Sequence, residues 1–169
     1  GARRMFDQAE NVFYYITLMN ENYKHPKMPD NAQEGIIKGM YVFKPFAKKS
    51  KGHIHLLGSG CILREVIKAS KWLCAQEIDV QVWSVTSFTE LARAALQEGS
   101  DSYVASAFAD AVPVLAATDY VRSYPEQIRP YIQGSYQVLG TDGFGRSDTR
   151  QQLRSYFGVS AADIAKQAL

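Results

Sequence analysis

A chain of 169 residues with 46% hydrophobic and 21% charged side chains is long enough for one domain with a buried core, and its composition is ordinary for a soluble globular protein. With 19 basic against 17 acidic residues the net charge is only +2, which argues against a dedicated nucleic-acid binder. No apolar run approaches membrane-spanning length and Gly1 to Glu10 lacks the apolar core of a signal peptide, so the expectation is a soluble, cytoplasmic chain with no membrane partner.

Val12 to Leu18, VFYYITL, is nearly unbroken apolar and aromatic sequence, the pattern of a strand buried on both faces. Asn20 to Asp30 is polar, carries two prolines and has no period, and reads as a linker. Met40 to Phe43 and His53 to Leu57 are short strands that a turn at Ser50, Lys51 and Gly52 would join as a hairpin. Ile62 to Cys74 has the i, i+4 apolar pattern of an amphipathic helix, and Val80 to Val85 is the next strand. Ser87 to Glu90 fits a capping box ahead of Leu91 to Leu96, Val112 to Ala117 is a strand, and Ser123 to Glu126 repeats the capping pattern. Val138 and Leu139 end a further strand, after which Gly140, Gly143 and Gly145 make a turn. Ser147 or Asp148 then caps a helix with Leu153, Tyr156 and Phe157 on its apolar stripe, closed by Gly158, and Ser160 to Asp163 caps a last helix. Strands alternating with helices predict an α/β fold: a three-layer, Rossmann-like domain with a mostly parallel sheet and an antiparallel edge hairpin.

The chemistry-bearing residues are sparse. Gly58-Ser59-Gly60 sits where a strand-to-helix turn can hold an anion, but Leu63 stands where a dinucleotide fingerprint has its third glycine, so a structural turn is expected. His53 and His55 share a strand face without an identifiable third metal ligand, and no metal site is assigned. The lysines of KPFAKKSKGH read as a solvated loop, and Phe13, Tyr14, Tyr15 and Tyr23 as core packing of a central strand. Cys61 and Cys74, both placed on the predicted helix, are too far apart to pair and read as reduced thiols. Glu21, at a strand end, is the one catalytic candidate, as an acid–base carboxylate. In TDGFGRSD, which lacks the Lys-Ser/Thr ending of a phosphate loop and has too few acids for calcium, Asp142, Phe144, Arg146 and Asp148 are candidates for an assembly or subunit-contact turn.

Five passages, NVFYYITLMNENY, LLGSGCIL, VTSFTELARA, ATDY and VLGTDGFGRSDTRQQLRSYFG, occur in order and closely resemble the homodimeric, thiamine-diphosphate-dependent decarboxylating component of bacterial pyruvate dehydrogenase complexes. The last resembles transketolases more loosely. The resemblance implies that residues 1–23 are the last strand of the middle, pyrimidine-binding domain, 24–35 a linker, and 36–169 a transketolase C-terminal-like domain. For a parent enzyme it implies decarboxylation of pyruvate and reductive acetylation of the lipoyl group on the dihydrolipoyl acetyltransferase, with thiamine diphosphate and magnesium as cofactors. The Gly-Asp-Gly motif that holds those cofactors is absent here, so the segment alone is expected to bind neither and to be inactive, serving dimer and active-site assembly with the enzyme's other domains. The passage between Ala95 and Val112 is shorter than the family's connection. Two other readings are a non-catalytic dimerisation or docking module and a fragment of a transketolase-like enzyme.

Overall fold

The computed structural model describes residues 1–19, 22–47 and 51–169; Glu21, and Ser50 of the predicted turn, lie outside them. Among the described residues five strands form one sheet: β1 (Met40–Lys44), β2 (Gly52–Ser59), β3 (Ile78–Val85), β4 (Val114–Ala117) and β5 (Tyr136–Leu139), in the order β1-β3-β2-β4-β5. All neighbouring pairs are parallel except β1 with β3. The helices are α1 (Ala32–Lys38), α2 (Leu63–Ala75), α3 (Phe88–Glu98), α4 (Tyr103–Ala107), α5 (Ser123–Glu126), α6 (Arg150–Tyr156) and α7 (Ala161–Gln167). Helix α1 begins within the residues read as linker, and its Ala32 is buried.

Period-2 alternation along the strands builds the three layers. Ile54, Leu56, Val80, Val82, Leu115 and Ala117 pack with Val66 and Leu73 of α2 and Ile164 of α7. The other face sends Leu57, Trp83, Val85, Val114 and Ala116 against Leu91 and Ala95 of α3 and Val104 of α4. The predicted architecture is therefore present, with one correction. The antiparallel edge exists, but β1 and β2 are not a hairpin, because β3 lies between them. β2 pairs with β3 over eight residues, from Gly52↔Ile78 to Ser59↔Val85, through the crossover helix α2. That long parallel register between two largely buried strands takes the edge of β2 that a local turn would have given to β1.

Residues 12–18 form no strand. Phe13, Tyr15, Ile16 and Leu18 are all exposed, so the expected core packing of this aromatic cluster is not made among the described residues. An extended segment becomes a sheet strand only when a neighbour takes its backbone hydrogen bonds, and no strand among those described pairs with it. It is tied instead by side chains: Arg4 donates to Tyr14, and Thr17 shares a 2.5 Å hydrogen bond with Tyr120.

Three predicted helix starts also change. Ser87 caps α3 by accepting from the Glu90 amide, but Glu90 completes no capping box because its carboxylate is bound by Arg93 and Arg4. Ser123 begins α5 without capping it. The cap of α6 is Thr149, whose hydroxyl accepts from the Gln152 amide, while Asp148 accepts from the Thr149 amide. Ser160 and Asp163 form the full reciprocal box on α7, and Gly158 takes the left-handed conformation expected after α6. The segment from Gly99 to Phe108 is well built: Gly99 turns with φ +61°, Ser102 caps α4, and Phe108 is fully buried.

Candidate functional site

Chain order places a switch point between β2 and β4, since the chain leaves β2 for β3 on one side and β4 lies on the other. Crevices at the carboxyl ends of such strands are where open α/β sheets carry their sites. At those ends stand Ser59, which closes β2, with Gly60 and Cys61 after it, Thr118 and Asp119 after β4, and Thr141 and Asp142 just beyond β5. The Ser59 and Thr118 hydroxyls are buried and 2.7 Å apart, and Thr118 also accepts from the Tyr120 amide. The Cys61 thiol donates to Asp119 Oδ2 at 3.2 Å, and the Thr141 hydroxyl donates to the Asp119 carbonyl at 2.6 Å.

This geometry makes the glycine turn structural. A Cβ at Gly58 would lie 2.8 Å from the Leu63 Cα, so that glycine permits the first turn of α2 to approach β2, and Gly60 adopts φ +51°. Cys61 lies on a 3-10 turn, Gly60–Ile62, ahead of α2 rather than within it. Burial, reinforced by the Asp119 carboxylate, pushes its thiol pKa up. A thiol held protonated is a poor nucleophile. Both cysteines are free.

The residues of the TDGFGRSD turn are dispersed in role. Asp142 accepts from the Arg122 amide at 2.8 Å and from its Nε at 2.6 Å, and these bonds hold its carboxyl pKa below the ordinary range. Arg146 lies 5.3 Å over the Tyr156 ring. Gly143, at φ +90°, turns the chain, and Phe144 beside it is 94% exposed. Leu153 and Phe157 are half-buried, whereas Tyr156 is exposed.

A cluster that sequence reading missed surrounds His55. The two histidines do share a face, and Phe46 packs against both rings. His55, however, is 1% exposed; its Nδ1 accepts from Trp83 Nε1 at 3.1 Å and its Nε2 faces Asp110 Oδ2 at 3.1 Å. Because an indole nitrogen can only donate, Nδ1 is unprotonated and Nε2 donates to Asp110. Burial pushes the imidazole pKa down, with Asp110 partly opposing, so His55 is a neutral hydrogen-bonded core group with no nitrogen left for a metal. The one signal in the sequence was HIHLL inside a buried strand; nothing local in it says that β3 places Trp83 alongside.

Residues 39–160 match the family described as transketolase-like TK C-terminal domain, and residues 1–26 match the pyruvate dehydrogenase E1 component middle domain. The chain belongs to the transketolase-like C-terminal domain family. More specifically, it is similar over all of its length to proteins named pyruvate dehydrogenase E1 component. That of Pseudomonas aeruginosa is 46% identical over 183 residues, 21% of its own length, and that of Escherichia coli K12 is 45% identical over 187 residues, 20% of its length. The chain thus spans about a fifth of these relatives, and the alignments, longer than its 169 residues, show that they carry residues it lacks. A solved transketolase from Campylobacter jejuni matches with a TM-score of 0.59 at 17% identity, covering 84% of this chain and 20% of that one, a likeness of fold alone.

The described residues do not fit a magnesium site. Among them no three carboxylates, histidines or cysteines converge, and both oxygens of Asp142 are taken by Arg122. A hard divalent ion needs several oxygen ligands directed at one point.

Proposed function

We propose that the chain is part of a thiamine-diphosphate-dependent pyruvate dehydrogenase E1 component, which decarboxylates pyruvate and reductively acetylates a lipoyl group on its acetyltransferase partner. The observation that carries this reading is the ordered pair of matches, middle domain then C-terminal domain, within a chain about 45% identical to E1 components throughout. In this reading residues 1–23 are the last strand of the middle domain, 24–35 the linker and 36–169 the C-terminal domain. Thiamine diphosphate and magnesium are held by domains outside this sequence, in a cytoplasmic homodimer. The exposure of Phe13, Tyr15, Ile16 and Leu18 supports a strand whose sheet lies in another domain. The turn bearing Asp142, Phe144, Arg146 and Asp148 serves assembly, with Phe144 as its apolar contact. Glu21 is retained as the acid–base candidate.

Calorimetric titration of the 169-residue chain with thiamine diphosphate and magnesium should give no saturable heat. The coding sequence upstream should carry a Gly-Asp-Gly motif in the same reading frame. Saturable, magnesium-dependent binding to this chain, or an upstream frame without that motif, would contradict the assignment.

A further inference from the structure

Tyr23 is half-buried between exposed neighbours, Asn22 before it and Lys24 and His25 after it. Two arginines from different helices contact it. The Arg64 guanidinium of α2 stands 4.6 Å over the Tyr23 ring, and Arg154 of α6 donates from Nη2 to the Tyr23 hydroxyl at 3.4 Å. Arg154 is itself anchored, because its Nη1 donates to Oε1 of Glu65 at 3.2 Å. Glu65, 6% exposed, also accepts from Lys68 Nζ at 2.9 Å and from the Ala161 amide at the start of α7 at 3.2 Å. One buried carboxylate therefore joins α2, α6 and α7, and the arginine fixed to it reaches outward to the linker. Beyond Tyr23 the linker residues Lys24, His25 and Pro26 lie along Arg64, Ile67 and Lys68.

We propose that Arg64 and Arg154 form a clamp on Tyr23 that holds the start of the linker against the C-terminal domain. A face-on guanidinium and a charge-assisted hydrogen bond act on one aromatic side chain from two sides, which fixes both ring position and direction. This assigns a task to the run that follows the TDGFGRSD turn: its helix carries the arginine that sets the path of the linker. The inference goes beyond the proposed enzyme assignment and does not depend on it.

Tryptic cleavage after Lys24 and Lys27, followed by mass spectrometry on the full 169-residue chain, reads the clamp, because a segment is cut in proportion to the population that detaches. Tyr23→Ala should raise the cleavage rate roughly tenfold, and Tyr23→Phe and Arg154→Gln several-fold each, from the loss of one charged hydrogen bond. Cleavage after Lys51, remote in sequence, should not change. The double variant Tyr23→Phe, Arg154→Gln should cleave less than the product of the two single effects, since both remove the bond between Tyr23 and Arg154. Arg154→Gln also disturbs Glu65, so its thermal midpoint is measured in parallel; the Tyr23 variants leave that buried network intact. Cleavage of Tyr23→Ala within about twofold of the parent chain, or fully multiplicative effects in the double variant, would overturn the clamp.

Discussion

Replacing Phe108 by alanine asks whether the short connection between α3 and β4 is part of the core or only spans a gap. Phe108 is 0% exposed and packs edge-to-face on His55 and Trp83, with ring centroids 5.2 and 5.3 Å away. Removing a fully buried phenyl ring costs about 3–5 kcal/mol through lost transfer energy and the cavity left behind. In urea, with a slope of about 2 kcal/mol per M for a chain of this size, that moves the unfolding midpoint down by roughly 1.5–2.5 M. Leu96→Ala on the exposed side of α3, where the leucine is 79% exposed, is the matched control and should stay within about 0.5 kcal/mol. Circular dichroism and tryptophan fluorescence should report the same transition for parent and both variants. A Phe108→Ala midpoint within about 0.5 M of the parent would mean that Gly99 to Phe108 is a detachable loop, and the account of it as core would be wrong.

The His55 cluster sets a pH dependence. Its folded pKa lies below the 6.5 of a free imidazole, so the unfolded chain binds a proton that the folded chain refuses. Its stabilising contribution is complete above about pH 6.5 and is lost as pH falls below that toward the depressed folded value. Urea midpoints taken across this range should decline with acid, and His55→Gln should flatten the decline; an unchanged slope would refute the assignment. The two thiols should separate in reaction with a disulfide reagent: exposed Cys74 reacts first, Cys61 slowly, and Cys74→Ser abolishes the fast phase. Equal rates would show that Asp119 and burial do not hold the Cys61 proton. Gly58→Ala should destabilise by about 1–3 kcal/mol, because its methyl meets the Leu63 backbone at 2.8 Å. Gly145→Ala, with nothing within 4 Å of the added carbon, should melt within about 2 °C of the parent, and equal melting of the two variants would contradict the packing.

Patterns local in the chain were legible in its residues alone. The apolar runs at Val80 to Val85 and Val112 to Ala117 became β3 and β4, the i, i+4 stripe became α2, and Ser160 with Asp163 closed their capping box because both partners sit within one helical turn. The ordered passages from NVFYYITLMNENY to TDGFGRSD also marked the family. Interactions that depend on who lies alongside were not legible. Ser87 and Glu90 fit the same capping pattern, yet Glu90 turned to Arg93 and Arg4. Strands β1 and β2 have the spacing of a hairpin, but the eight-residue register of β3 displaces β1 to the far edge.

The sequence by itself thus determined the element types, the α/β class and the family, since propensity, periodicity and caps are set by neighbours a few positions apart. Only the tertiary structure decided what the individual polar side chains do. His55 became a neutral core group because Trp83 arrives from 28 residues away, and Arg154 reached Tyr23 across a separation of 131. Such pairings follow from how the layers stack, and a hydrogen bond formed across layers leaves no period in the chain.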